Sequence, residues 1–282
     1  MSNEGRCKTR RVKAALAVFI VLFVIFIGCF EASAITKEIY ISVKVNGNYI
    51  KMDNWPYIKD GRTFVSVRFV AEALGAKVEW DEEDKKVVIK DDYNYIELII
   101  GSKECHINAV KQEMDTSPEI SNGRTMVPLR FVSEILGCSV DWNQTTYTVS
   151  ITKDGIKVPE ECIYNRNYTD EDLMWLARIV TVEAGGMSLE GKVAVANVVL
   201  NRVKSPSFPN TVYDVIFQKG QFPPAYKSGF KELVPPDECI VAAKMALEGV
   251  NNIGNCLYFN NRPFTSRGGS LYKKIEGEYF YY

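Results

Sequence analysis

Along the first half of the chain, apolar and polar residues alternate in short runs broken by turn residues. Ile39, Ile41, Val43 and Val45 alternate up to Asn46-Gly47, which predicts a strand entering a tight hairpin. Val78 and Trp80, and again Val140 and Trp142, alternate with polar neighbours, as half-buried strands do. Val87-Val88-Ile89 and Tyr147 to Ile151 supply the strand that follows in each case. Ahead of them, Arg68 to Leu74 and Arg130 to Leu136 read as short helical stretches. Each is closed by a glycine, Gly75 or Gly137, where a helix C-terminus favours one.

The pattern occurs twice because the sequence does. "GRTFVSVRFVAEALGAKVEW" starts at Gly61 and "GRTMVPLRFVSEILGCSVDW" at Gly123, an offset of 62 residues with twelve of twenty positions identical. One supersecondary unit of strand, short helix, strand and strand is therefore expected in two copies. From Lys153 to Tyr168 the chain turns polar, with Gly155, Pro159 and Glu160-Glu161, and reads as a linker.

Beyond it the period becomes helical. Thr169-Asp170-Glu171-Asp172 is a capping-box signature. Leu173, Leu176, Ala177 and Val180 follow at helical spacing, and Gly185-Gly186 ends the run. A second helix is expected over Gly191 to Val203, then a Pro- and Ser-rich loop and a short helix opened by Thr211 and Asp214. At the other end, Arg6, Lys8, Arg10, Arg11 and Lys13 precede an apolar run, Ala14 to Phe30, and an Ala32-Ser33-Ala34 cleavage signal. The expected plan is α+β in two domains. A signal peptide at 1–34 is cleaved near Ala34, or stays as an N-terminal membrane anchor if uncleaved. A repeat domain at 35–153, a linker at 154–168 and a mainly α domain at 169–282 follow, outside the cytoplasmic membrane.

Composition narrows the chemistry. A net charge of −1 argues against nucleic acid, which needs clustered Lys and Arg. A single histidine, His106, leaves Ser-His-Asp and Cys-His relays and His-rich zinc sites without their parts. No metal or cofactor is expected. Cys105, Cys138, Cys162, Cys239 and Cys256 have irregular spacing and no C-x-x-C. They read as small buried hydrophobes with at most one or two bridges.

Glu183 carries the candidate chemistry. It follows Leu176 by seven residues, Ile179 by four and Val180 by three, so it projects from the apolar side of its helix near the C-terminal end. Lost hydration and the partial negative charge of the helix end both disfavour its ionised form. A glutamic acid still protonated near neutral pH can protonate a leaving glycosidic oxygen. The alternative is an ion pair with a buried arginine, Arg178 or Arg202.

Two resemblances follow from these residues. The repeats, over about residues 39 to 152, resemble the copper amine oxidase N-terminal-like stalk domain, which itself carries no copper chemistry. That likeness implies a spacer or wall-attachment role. Arg68 and Arg130 either tie their helix starts to a carboxylate or contact an anionic polymer, and the two tryptophans either fill equivalent cores or stack on sugars. The segment "ARIVTVEAGG" from Ala177, with "SLEGKVAVANVVLNRVKSPSFPNTVYDVIFQKGQF" from Ser188, resembles the spore cortex-lytic enzymes of the cell-wall hydrolase family.

That second resemblance implies a lysozyme-like domain acting on peptidoglycan glycan strands, with Glu183 as the acid/base. The bond would be the β-1,4 link between N-acetylmuramic acid and N-acetylglucosamine, cut by a lytic transglycosylase or muramidase. A lytic route suits a chain with no second carboxylate placed as an obvious partner, Glu190 being expected at the surface, while a two-carboxylate route stays open because spatial neighbours do not show in a sequence. Gln221 and Phe222 would line the groove, a buried Asn197 would orient Glu183 or serve the core, and Tyr258 and Asn260 would contact sugars. Gly185 and Met187 stand where many relatives carry Arg and Glu, and Tyr279 lies in a stretch where relatives usually carry His. A wall-binding protein with a degenerate hydrolase domain, or a wall amidase, remain the alternatives.

Overall fold

The equivalent strands of the two repeats pair with each other. Arg62–Ser66 runs antiparallel to Arg124–Pro128, with Val65 opposite Val127, Ser66 opposite Met126 and Phe64 opposite Pro128. Each residue thus faces the counterpart of its mirror neighbour, so a pseudo-two-fold axis passes through the two valines. The hairpin partners Tyr57–Lys59 and Glu119–Ser121 flank this pair and complete a four-stranded sheet. The computed structural model describes residues 40–264 and 270–282. The basic and apolar N-terminal run, Ile39, Cys7, Cys29 and the Ala32-Ser33-Ala34 signal lie outside the described residues.

Each central strand leads into a short helix, α1 (Val67–Ala73) or α2 (Leu129–Ile135). Gly75 and Gly137 follow these helices at φ +81° and +76°, the left-handed geometry a chain needs to turn back into a strand. The strand pairs Lys77–Asp81 with Lys86–Lys90, and Ser139–Asn143 with Thr148–Thr152, come next. The first pair extends through Tyr95–Ile99, Glu104–Ile107 and Val110–Glu113 into a five-stranded meander. The second pair is joined in parallel by Ser42–Val45, which turns through Asn46-Gly47 into Asn48–Tyr49. Val43, Val45, Val65, Val70, Ile89, Val127, Val132 and Ile151 belong to one buried cluster spanning both repeats.

The stretch 153–168 does not run free. Val158 is buried, Glu160–Cys162 forms a 3₁₀ turn, and Ile163 bridges to Ile50. The Lys51 N–H donates to the Cys162 carbonyl at 2.9 Å and the Tyr164 N–H to the Tyr49 carbonyl at 2.7 Å.

The C-terminal region has helices α3 (Asp170–Ala184), α4 (Leu189–Lys204), α5 (Val212–Ile216) and α6 (Asp237–Leu247). A three-stranded sheet, Tyr258–Asn260, Leu271–Ile275 and Glu278–Tyr281 with the last strand central, completes it. Every residue of α4 from Gly191 to Arg202 is buried, which explains its apolar run on all faces. Neither α6 nor the closing sheet carried a clear signal in the sequence. The five described cysteines are all free, four of them buried.

Repeats and helices pack as one compact unit from residue 40 onward. Asp170, at the start of α3, accepts hydrogen bonds from Lys44 at 3.0 Å, Tyr49 at 2.7 Å and Arg166 at 3.0 Å. Burial works to raise its pKa, but these hydrogen bonds outweigh it and hold the value at about 2. Lys244 of α6 is 1% exposed. Its ammonium donates to the Thr146 carbonyl at 2.7 Å and the Tyr147 carbonyl at 3.0 Å, in the turn between two strands of the second repeat.

Candidate active site

Glu183 lies one residue before the last of α3, and that helix is fixed at both ends. Thr169 accepts from the Asp172 N–H at 3.0 Å while the Asp172 carboxylate accepts from the Thr169 N–H at 2.8 Å, a closed capping box worth about 1 kcal/mol. At the far end, a Cβ on Gly185 would collide with the Thr181 carbonyl oxygen. Gly185 itself keeps helical dihedrals, φ −56° and ψ −31°, so glycine there answers the close carbonyl and not a left-handed turn.

The Glu183 carboxyl is half-buried and has no hydrogen-bond or ion-pair partner among the described residues. Its pKa is raised, first by burial and then by the Glu278 carboxylate, against the opposing charges of Arg202 and Lys227. Burial likewise raises Glu278. The hairpin between the last two strands thus brings a second acid, Glu278, within electrostatic reach of Glu183. Sequence spacing gave no hint of it, because 95 residues separate the two.

Arg202 organises the floor of this region. It is 4% exposed, its Nε–H donates to the Leu257 carbonyl at 2.8 Å, and its guanidinium lies 5.0 Å from the Phe208 and Phe222 ring centres and 5.7 Å from that of Tyr258. One of its terminal nitrogens, Nη1, is buried without a partner. Burial lowers its pKa to about 10, while Tyr258 and Glu183 act the other way. Arg202 entered the sequence reading only as a possible ion-pair partner. It follows Val198 by four residues and Val199 by three, an ionisable residue on an apolar helix like Glu183 itself. Arg178, the other candidate, instead donates to the Leu233 carbonyl at 3.0 Å.

The expected binding residues divide. Tyr258 and Asn260 are half-buried on the strand beside Glu278–Tyr281, with Tyr258 opposite Tyr281 and Asn260 opposite Tyr279, one residue along from Glu278. Gln221 is half-buried, and its N–H donates to the Gln218 carbonyl at 3.1 Å. Phe222 is 1% exposed, with the Arg202 guanidinium 5.0 Å from its ring centre. Asn197 is 3% exposed, and its amide donates to the Val193 and Val250 carbonyls at 2.9 Å each. It ties α4 to the loop after α6.

Comparison with known proteins agrees with this layout. The copper amine oxidase N-terminal domain family matches residues 44–151 and the cell wall hydrolase family matches residues 186–281. The second match begins three residues past Glu183. The spore cortex-lytic enzyme of Oceanobacillus iheyensis is 38% identical over 109 residues, covering 39% of each chain. That of Bacillus cereus is 42% identical over 94 residues, covering 33% of this chain and 36% of the relative. The chain thus spans less than two fifths of the length of these curated relatives. The solved catalytic domain of the germination-specific lytic transglycosylase SleB from Bacillus anthracis is 35% identical, over 42% of this chain and 100% of that one, with a TM-score of 0.39. The two family matches together give the chain a copper amine oxidase N-terminal domain over residues 44–151 followed by a cell wall hydrolase domain over residues 186–281.

Proposed function

We propose that this protein cleaves the glycan backbone of peptidoglycan outside the cytoplasmic membrane, with Glu183 as the acid/base. The observation that carries this reading is a half-buried, unpaired carboxyl whose neutral form burial and Glu278 both favour. As an acid, Glu183 protonates the glycosidic oxygen while the C1–O bond breaks. Tyr258 offers a ring face and Asn260 an amide to acetamido sugars, with Gln221 close in sequence to the Phe222–Arg202 floor.

Two routes complete the reaction. In the lytic one, suggested by the name of the SleB relative, the Glu183 carboxylate takes the C6 hydroxyl proton of the muramic residue. O6 then bonds to C1, giving a 1,6-anhydro end without water. Glu278 favours the second, in which a carboxylate pair directs water to C1 and leaves a reducing end. Digestion of purified sacculi followed by muropeptide analysis separates them. Glu183→Gln removes the proton and keeps the shape. It is expected to lower turnover by about 10²–10⁴-fold, and undiminished cleavage in that variant overturns the assignment. Intact sacculi from the parent protein would mean a binding role, and free stem peptides an amidase.

A further inference from the structure

The cavities of about 850 and 400 Å³ lie on the repeat domain, not at Glu183. They are copies of each other under the 62-residue offset. The larger is lined by Arg68, Phe69 and Trp80 of the first repeat with Arg124 across from them, and by Asp53. The smaller is lined by Arg130, Phe131 and Trp142 of the second repeat with Arg62 across from them, and by Asp115. Adding 62 to the first set, or subtracting it from Arg124, gives the second. Each groove therefore joins the helix and sheet of one repeat to the hairpin of the other, a consequence of the pseudo-two-fold pairing at Val65 and Val127.

The side chains in each groove are held in place before any ligand arrives. Trp80 donates its indole N–H to Glu82 at 2.5 Å and Trp142 to Gln144 at 2.9 Å, so both rings are held at the same edge. The tryptophans differ in cover: Trp80 is 38% exposed, whereas Trp142 is half-buried and packs against the core cluster. Arg62 is paired with Asp115 at 2.5 Å, and Arg124 with Asp53. Arg68 is exposed and has no ion-pair partner among the described residues, whereas Arg130 lies 3.9 Å from Glu134. The larger groove also holds Lys85 against Glu82, leaving it with a surplus of positive charge.

We propose that these are two related subsites for a sugar polymer, the glycan strand of the wall, whose muramic residues bear free carboxylates wherever the stem peptide has been removed. An indole face takes the apolar side of a sugar ring, the fixed Arg–Asp pair takes its hydroxyl and acetamido groups, and Arg68 takes a carboxylate. Two copies of one subsite on one rigid domain suit a polymer that repeats, because the second contact forms at high effective concentration. The choice of polymer rests on the proposed activity; the grooves do not depend on Glu183.

The test is binding of the full chain carrying Glu183→Gln to purified sacculi, with peptide-free glycan strands and free stem peptides as competitors. Trp80→Ala is expected to weaken binding about tenfold and the double variant with Trp142→Ala about a hundredfold, with peptide-free strands displacing the protein. Unchanged affinity in the double variant, or displacement by stem peptides alone, overturns the proposal. Arg68→Ala, at an exposed position, decides the matter if a tryptophan variant does not fold. A several-fold loss supports the subsite and an unchanged isotherm overturns it. Failure of the proposed activity would appear separately, as turnover surviving in Glu183→Gln.

Discussion

Glu183, Glu278 and Arg202 set the pH behaviour of the candidate site. The raised Glu183 pKa means its acid form persists to higher pH than an exposed glutamate, and activity is lost as pH rises through that value. Glu278 raises it and Arg202 lowers it, so their removal acts in opposite directions. Glu278→Gln is expected to move the basic limb of the pH–rate profile down, and Arg202→Met to move it up. A shift of the same sign in both refutes the electrostatic account. Arg202→Met also strands the Leu257 carbonyl and costs about 1–3 kcal/mol. Sign also governs stability. A carboxyl with a raised folded pKa favours the fold below its unfolded pKa, and loses that contribution as pH rises through the folded one. Glu183→Gln should therefore melt no lower than the parent at neutral pH, as calorimetry would show. Glu183 was legible in the sequence because a charged residue on an apolar helix face breaks a period. Glu278 was not, because only the folded hairpin brings it near.

At the scale of elements, local rules predicted the repeats well. The strand–helix–strand–strand unit, the Asn46-Gly47 turn and the glycines after α1 and α2 are all steric or hydrogen-bonding signals confined to a few residues. Gly75 and Gly137 have positive φ, and nothing lies within 4 Å of where a Cβ would sit, so Gly75→Ala meets only backbone strain, about 1–2 kcal/mol. A lower urea midpoint at unchanged m-value checks this. Helix α6 and the last sheet escaped notice. Helix α6 is buried over most of its length, so it lacks a polar stripe, and the sheet's partners are separated by a loop. The tryptophans split for the same reason: Trp142 packs against the core and Trp80 does not, because an alternating pattern gives a residue's face but not what covers it.

Lys244 belongs to the whole molecule, since its partners sit in the repeat domain. Burial lowers its pKa to about 7, with Glu248 and Asp170 acting to raise it and Arg166 and Lys44 to lower it. A lysine depressed in the folded state costs stability wherever the unfolded chain is protonated and the folded one is not. Stability should therefore rise with pH between about 7 and the unfolded value of 10.5. Lys244→Met is expected to remove that slope; the Thr146 and Tyr147 carbonyls keep the Thr148 hydroxyl and the Ser42 N–H as donors, so the loss is that of two net hydrogen bonds, about 1–3 kcal/mol. Chemical denaturation of both proteins across that pH range gives the difference, and parallel curves would refute it. The hydrolase region cut at residue 167 loses these contacts and those of Asp170, so it should unfold at lower denaturant than the full chain.

The valine-centred pairing of the repeats has a kinetic consequence. Two halves that match face to face would, as separate polypeptides, have to find each other by diffusion and would fall apart on dilution. Tethered in one chain, they meet at a rate set by loop closure, so refolding should be independent of protein concentration. A half-length variant would instead expose the free border of Arg62–Ser66 and recover order only by self-association.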